Sequence, residues 1–562
     1  MAARRHWLHR LLGPIVTLFI AGTLGMTAHA AISAHSAPAV LSTLRLSYYA
    51  GIPSLAPSLD PAHIQASSDY ELALLVNANL VHILPTGEVR PDLATYTISK
   101  NHLTYTFTMR SNARFSNGHP VTAQDAAFSL ERALAPSTHS EVADIYENLI
   151  VGADDYYRGK THVIPGVKVL SRRVLQITIT KPVAYFLDAL SYPSADVLDP
   201  SVVRGKDVGA KNNYLTNTCV GNQGAGPFRF VCKSSGSTIH SFYAGRSPRY
   251  TLVPNPFYYG PKPRLRIELP GTSAQDNGYR AYEANALDMT EPVPPVYLGR
   301  WQGSKELRQY PSSVVVFLVP NTHMAPFDNV HCRLAVAYAI DRRTVADDLE
   351  GGTVRPTYAL VPKGLLGYYP GADNPSYSPA AARAQLARCP SRTVPIALKY
   401  GDYTPDSVNS AKAVAAQLLQ VGLNVKLTSL PPSAIQQTIS HSLDTTHTQL
   451  VWSFWVQDYP DPQDYCTLLL RSGQPLNVGL WSNRQYDHLV DRAEVEMNPA
   501  VRAALYIRAQ HLALSQGALI TIASGISYEL IKPYVHGLVT TEAYVDAVAK
   551  ALDWTKVSIS SH

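Results

Sequence analysis

Charge is scarce in this 562-residue chain: Asp, Glu, Lys and Arg together make up 16% of it, against about 25% in an average globular protein. The balance is also small, 48 basic against 42 acidic residues for a formal net of +6. Arg4, Arg5 and Arg10 supply half of that excess, and the remainder is scattered, which is no footprint for nucleic acid. Cysteine is scarce too. There are five, none in Cys-x-x-Cys spacing, which excludes zinc ribbons and thioredoxin-type motifs. No Gly-x-Ser-x-Gly elbow, Ser-x-x-Lys or His-Glu-x-x-His occurs, so the common hydrolase motifs are missing. Gly159-Lys160-Thr161 resembles the end of a phosphate loop, but Asp154 stands where the loop needs glycine. The 19 histidines are dispersed and form no metal-ligand spacing. Nothing in the sequence implies a cofactor or a metal. Heptads, internal repeats, low-complexity tracts and repeated apolar spans are absent as well, which excludes coiled-coil and polytopic membrane classes.

What remains is an ordinary apolar share of 46%, too high for disorder. The length exceeds what one core can fill, so two or more lobes are expected. The basic residues at 4, 5 and 10, an apolar run from Leu11 to Met26 and the small-x-small triplet Ala28-His29-Ala30 predict a secretory signal peptide over 1–30, cleaved near Ala30. The competing reading is an uncleaved anchor, for which the run is short. No cysteine follows the run to carry a lipid. Residues 31–41, rich in Ala, Ser and Pro, read as a linker. Export agrees with disulfide formation. Cys219 and Cys232 bracket GNQGAGPF and are the first candidate pair; five buried thiols are the alternative, and the odd count leaves one free in a monomer.

Local patterns place the elements. Thr43 to Tyr49 alternates as a strand, and Ser68 to Leu80 is helix-like. Over 92–110, Thr95, Thr97, Thr104, Tyr105, Phe107 and Met109 alternate around Lys100-Asn101-His102 and predict a hairpin. Thr122-x-x-Asp125 is a capping-box variant opening a helix with Ala123, Ala127, Leu130 and Leu134 on one face. A second hairpin is expected over 163–180. Residues 201–270 read as loops and short strands, and Val314 to Val319 as a buried strand. The helix after Phe327-Asp328 should turn Leu334, Ala337, Tyr338 and Val345 inward. Ser378-Pro379 caps a helix through Leu386. A βαβ unit follows: a strand at Val394–Tyr400, a helix over 406–421 with Val408, Ala411, Ala415 and Leu418 on one face, and a strand through Leu423, Val425 and Leu427. The alternation predicts an α/β sheet.

Five segments in order carry a resemblance. They are PDLATYTISKNHLTYTFTMRSNARFSNGHPVTAQDAAFSLERAL (91–134), GAGPF (224–228) with NPFYYGPKPRL (255–265), AYEANALDM (281–289), APFDNVHCRLAVAYAIDRRTV (325–345) and WSFWVQDYPDPQDYCTLLL (452–470). The chain resembles the extracytoplasmic solute-binding proteins of family 5 in ATP-binding-cassette importers, the oligopeptide-, dipeptide- and nickel-binding proteins. Asn101-His102 and His331-Cys332-Arg333 depart from the family pattern in structural elements. The resemblance implies a two-lobed α/β fold of the periplasmic-binding-protein type (class II, cluster C). Lobe I would comprise 42–310 and 525–562, with an inserted subdomain at about 91–200; lobe II would be 311–524. The implied partners are a peptide ligand and the permease subunits of an importer, with the protein a monomer and not an enzyme. Binding of nickel chelate, haem or sugar stands as the alternative within the family. A secreted hydrolase, or a surface sensor or adhesin, is the reading from another class.

By the same resemblance, Asp458 would take the α-ammonium of a peptide. A carboxylate only accepts hydrogen bonds, and its charge offsets a buried ammonium. Trp455 would pack on ligand side chains, with Trp452, Phe454 and Tyr459 crowding the same stretch. Gln65, Ala66 and Ser67 would offer backbone to the peptide from lobe I. Asp461 and Asp464 are read as solvated turn carboxylates. No Arg or Lys occurs from Gln449 to Asp464, so a ligand carboxylate must be held from elsewhere, or the ligand lacks a terminus there. The 33 tyrosines against 12 phenylalanines fit a wet, hydrogen-bonding cleft as well as a Tyr-rich surface.

Overall fold

The computed structural model describes residues 41–49, 60–64, 67–84, 87–140, 142–204, 223–231, 249–272, 275–348, 350–371, 374–403, 405–440, 448–538 and 553–561. The signal segment, residues 31–40 of the linker, Gln65, Ala66, Cys219 and Cys232 lie outside them. Among the described residues no helix is long and apolar enough to cross a membrane.

The first part builds a small sheet around a helix. Strands β1 (Ser42–Arg45) and β2 (Tyr48–Tyr49) lead to α1 (Ser67–Val76) and the hairpin β3 (Val81–Ile83) with β4 (Val89–Pro91). β1 and β2 both pair parallel with a later strand, described below. The helix packs its Leu72, Leu75 and Val76 on that sheet.

An inserted unit follows. It comprises β5 (Ala94–Ile98), β6 (Thr104–Met109), α2 (Ala123–Leu134), α3 (Asp144–Glu147), α4 (Ala153–Tyr157), β7 (Val167–Ser171), β8 (Val174–Thr178), α5 (Phe186–Ala189) and α6 (Pro200–Val203). Its sheet runs β5-β6-β8-β7, all antiparallel. Both expected hairpins are present. In β6 the threonines face out while Tyr105, Phe107 and Met109 are buried, the period-2 pattern of a sheet with one covered face. That face is covered by α2, whose Ala123, Ala127, Leu130 and Leu134 are all buried. The capping box holds in both directions: Thr122 Oγ1 accepts from Asp125 N, and Thr122 N donates to Asp125 Oδ2.

The chain then returns through β9 (Phe228–Phe230), β10 (Arg249–Pro254) and β11 (Leu265–Thr272), completing the first sheet in the order β1-β11-β10-β9. The GAGPF segment crosses the end of α1. A Cβ on Gly224 would lie 2.1 Å from Val76 O, and one on Gly226 2.5 Å from Asn77 O, so only glycine fits this crossing. The Asn255 of NPFYYG donates Nδ2 to Gly226 O at 2.9 Å, which ties the two segments together.

Next come α7 (Gln275–Glu283), β12 (Met289–Thr290), α8 (Pro295–Trp301) and β13 (Leu307–Pro320). Beyond β13 lie α9 (Val330–Ala339), α10 (Arg342–Asp348), β14 (Val354–Pro356), α11 (Pro379–Ala387), β15 (Ile396–Gly401), α12 (Pro405–Gln420), β16 (Val425–Leu430), α13 (Pro432–Ser440), β17 (Leu450–Trp455), α14 (Gln463–Leu470), α15 (Arg484–Val495), α16 (Pro499–Ser515) and β18 (Ile520–Ile531). The chain closes with β19 (Val535–His536) and β20 (Ser558–Ile559). The βαβ unit is β15-α12-β16, with parallel strands in register from Ile396↔Val425 to Gly401↔Leu430. In α12 the face is as expected in direction: Ala411, Val414 and Leu418 are buried, and Val408 and Ala415 are half-buried.

The central sheet runs β12-β18-β13-β17-β15-β16, with β14 also on β18. β13 and β18 are its longest strands, 14 and 12 residues. They pair antiparallel from Leu307↔Leu530 to Leu318↔Ile520, with a register break between Pro311 and Val315. One end of this ribbon meets β12, whose Met289 bridges to Leu46 beside the first sheet; the other end carries β17. The ribbon is thus a pair of crossover strands in a two-lobed α/β fold. Trp554, near the C-terminus, packs edge-on against Phe228 at 5.1 Å and so belongs to the first sheet's core.

Two expectations need correction. On α9 the buried residues are Cys332, Arg333, Ala335, Val336, Ala337 and Ala339, while Leu334 and Tyr338 are only half-buried. The helix is small-residue-rich on the side that meets α11, so its inner face is rotated from the one that large residues alone suggest. The reading of all five cysteines as thiols also fails. Cys332 and Cys389, 57 residues apart, form a disulfide between α9 and the turn after α11. Cys466 is a buried free thiol.

Candidate functional site

β17 delivers the aromatic stretch. Because side chains alternate across a strand, Leu450 and Trp452 enter the core on the α9–α12 side, while Val451 and Trp455 pack on the α14–α16 side. Trp452 is buried, so its ring is structural packing. Phe454 and Trp455 are half-buried at the strand's end, Phe454 edge-on to Tyr403 at 5.8 Å. After the strand, the turn Gln457–Pro462 leads into α14, and its carboxylates have three different settings.

Asp461 is buried and clasped by the guanidinium of Arg502 through two bonds of 2.6 and 2.7 Å. Asp464 is fully buried in the first turn of α14. Its Oδ2 accepts from Trp455 Nε1 at 2.9 Å and from Asp458 N at 3.2 Å; its Oδ1 has no partner among the described residues. Both therefore depart from the solvated-turn expectation. The turn is covered by α16, which brings Arg502 from 41 residues away, and Asp464 folds back to fix the turn from inside.

Asp458 is different. It is half-buried, and no cationic side chain among the described residues pairs with it. Burial pushes its carboxyl up to about 7, the nearby Asp144 carboxylate adds to the rise, and the polar Tyr192 hydroxyl opposes it. Asp464, close to Asp458, is held well above the usual carboxylate range, first by burial and then by Asp458. Such a pair takes up protons as a unit.

The groups that sense Asp458 come from α1 and from the inserted unit, and local sequence gives no signal for them. Burial raises the phenols of Tyr70 on α1, Tyr146 on α3 and Tyr192 after α5; Asp196 and then Asp458 add to the rise at Tyr70 and Tyr146, and Asp458 adds to it at Tyr192. Tyr70 and Tyr192 have ring centres 5.7 Å apart. Tyr146 donates to Ala189 O at 2.9 Å and accepts from Ser194 Oγ at 3.2 Å, while Tyr192 donates to Ile64 O. Asp144, at the start of α3, keeps exposed surface although burial lifts its carboxyl to about 6. Asp458 thus lies near buried tyrosines and the Asp144 carboxylate, with no cation paired to it among the described residues. Ser67 opens α1 three residues before Tyr70. Tyr459 is buried, 3% exposed, and stacks on Tyr185, with ring centres 5.7 Å apart and planes 4° apart.

Two lobes joined by crossover strands define a class of protein that encloses a solute. Comparison with known proteins agrees. The model of bacterial extracellular solute-binding proteins, family 5, matches residues 88–477, and the chain belongs to that family. It is 23% identical over 477 residues to a probable D,D-dipeptide-binding periplasmic protein, DdpA, of Escherichia coli K12, covering 82% of this chain and 85% of that one. It is 26% identical over 538 residues to the periplasmic murein peptide-binding protein MppA of the same organism, covering 89% and 94%. Among solved structures, peptide-bound OppA of Listeria monocytogenes superposes with a TM-score of 0.71 at 21% identity, covering 93% of this chain and 100% of that one.

Proposed function

We propose that this chain is the extracytoplasmic substrate-binding component of an ATP-binding-cassette importer, and that it takes peptides by their free amino end. The observation that carries the reading is Asp458, a desolvated carboxylate at the cleft with no protein cation beside it among the described residues. An ammonium supplied by the ligand would neutralise it, and the phenol oxygens of Tyr70 and Tyr192 would offer acceptors to the ligand's N–H groups. Phe454 and Trp455 at the end of β17 would pack on ligand side chains, and the backbone around 65–67 would add strand-like hydrogen bonds.

Lobe I is assigned to 42–310 and 525–562, with the inserted subdomain at about 91–200, and lobe II to 311–524. The antiparallel pair β13 and β18 supports this division as the connection between them. Export by a cleaved signal peptide over 1–30 fits the Cys332–Cys389 disulfide, and the permease of an importer is the partner. Native mass spectrometry of protein purified gently from its host tests the ligand class. A ladder of peptide masses is expected; a single metal-chelate, haem or sugar mass would replace this reading.

A further inference from the structure

Among the described residues, the sheet of the inserted unit shares no strand with the central sheet that carries β17 and the helices after it. They meet through a few side chains. Tyr459 is the one residue from beyond position 225 in the buried core of the inserted unit, where it stacks on Tyr185 at the start of α5. Its hydroxyl donates to Gln463 Oε1 at 2.6 Å. Asp461 N donates to Tyr459 O at 2.8 Å, and the Asp461–Arg502 clasp fixes that turn to α16. The Arg502 guanidinium also lies 6.0 Å from the Tyr185 ring centre. To one side, Lys181, just after β8, forms an ion pair with Glu494 on α15; the lysine is 44% exposed and the glutamate 4%. A stacked pair, an ion pair and a cation over a ring are contacts that can separate without breaking a sheet.

We propose that these contacts are a latch: Tyr459 and the Lys181–Glu494 pair hold the inserted unit against α15 and α16, over the Asp458 cleft, in the empty protein as well as the filled one. The ligand contacts and the closing contacts are then separate, and closure has its own stabilising energy. The inference rests on the binding reading only in what the latch encloses; the closed population of the empty protein is measured without any ligand.

The test uses spin labels on two exposed positions, Leu170→Cys on β7 and Val501→Cys on α16, which are 56% and 43% exposed. In empty protein at low salt, a closed population should dominate the distance distribution. Lys181→Glu and Glu494→Lys should each enlarge a longer-distance population on the order of tenfold, and the double reversal should restore the closed one. Tyr459→Ala should open the protein roughly three- to tenfold by losing the stack. Lys181→Ala, at an exposed position, leaves the fold intact if Glu494→Lys does not. Salt at 1 M should open the parent protein, because the Debye length falls to about 3 Å, but should not shift Lys181→Ala further. An empty parent with no closed population, or distributions that ignore all these substitutions, would overturn the latch.

Discussion

Asp458 and Asp461 sit in one turn, three residues apart, yet they belong to different kinds of site. Asp461 has a protein cation in bidentate contact, and its region is finished: Arg502 also donates to Ala493 O at 3.0 Å, and Tyr506 stacks beside the guanidinium at 5.1 Å. Asp458 has tyrosines, a second carboxylate and exposed surface, so its region is incomplete without something positive. A buried carboxylate that is paired serves the fold. One that is left unpaired costs stability and is kept where a ligand completes it.

Removing the pair partner should give the largest effect. Arg502→Ala leaves Asp461 buried and unpaired, and should cost about 3–5 kcal/mol of stability in urea unfolding. A loss below about 1 kcal/mol would put Asp461 back among solvated turn residues. At the other carboxylate the effect should fall on binding. Asp458→Ala should weaken a free-amino peptide by about 2–5 kcal/mol, roughly 30-fold to several thousand-fold. Acetylating the peptide should cost the same, and the two losses should not add, because they remove one interaction. Calorimetry that finds full affinity for either Asp458→Ala or the acetylated peptide would remove Asp458 from ligand recognition.

The raised carboxyl makes the next difference visible through pH. An ammonium requires ionised Asp458, whose pKa in the empty cleft is about 7. Peptide affinity should therefore fall about tenfold per pH unit below 7, with proton release on binding near neutrality. Calorimetry in buffers of different ionisation enthalpy measures that release, and pH-independent affinity between 5 and 8 contradicts it. The smallest effect concerns the empty protein. A carboxyl raised from its unfolded value holds more protons in the native state, so its contribution to stability declines as pH rises from about 4 through 7. Asp458→Asn should then stabilise the empty protein at pH 8 by on the order of 1–2 kcal/mol and do little at pH 4. Thermal melts at the two pH values compare the outcomes, and no difference between them counts against a desolvated Asp458.

Local chemistry was legible where the interaction partner is near in sequence. The β5–β6 hairpin, the Thr122–Asp125 capping box, the Ser378 cap and the β15-α12-β16 unit all depend on residues within one element or its neighbour. Phe454, Trp455 and Asp458, which we propose as ligand contacts, stand out in the sequence because aromatics and acids crowd one strand end. Misreadings arose where the partner lies in another element or across a turn. Asp461 looked solvated because Arg502 is in another helix, and Asp464 because its bonds run backward to Trp455 and Asp458 across a turn whose shape no periodicity reports. Leu334 was placed inward by size, whereas α9 packs on its small-residue side.

By itself, the amino-acid order determined the α/β class and the family, because these follow from periodicity, caps and motif order. Tertiary structure alone decided that Cys332 meets Cys389, that Asp461 is clasped while Asp458 is left open, and that Asp144, Tyr146 and Tyr192 face a carboxylate some 270 to 310 residues away. Those pairings depend on which faces of separate elements meet in the fold. The local pattern of each element is compatible with many partners, and only packing selects one.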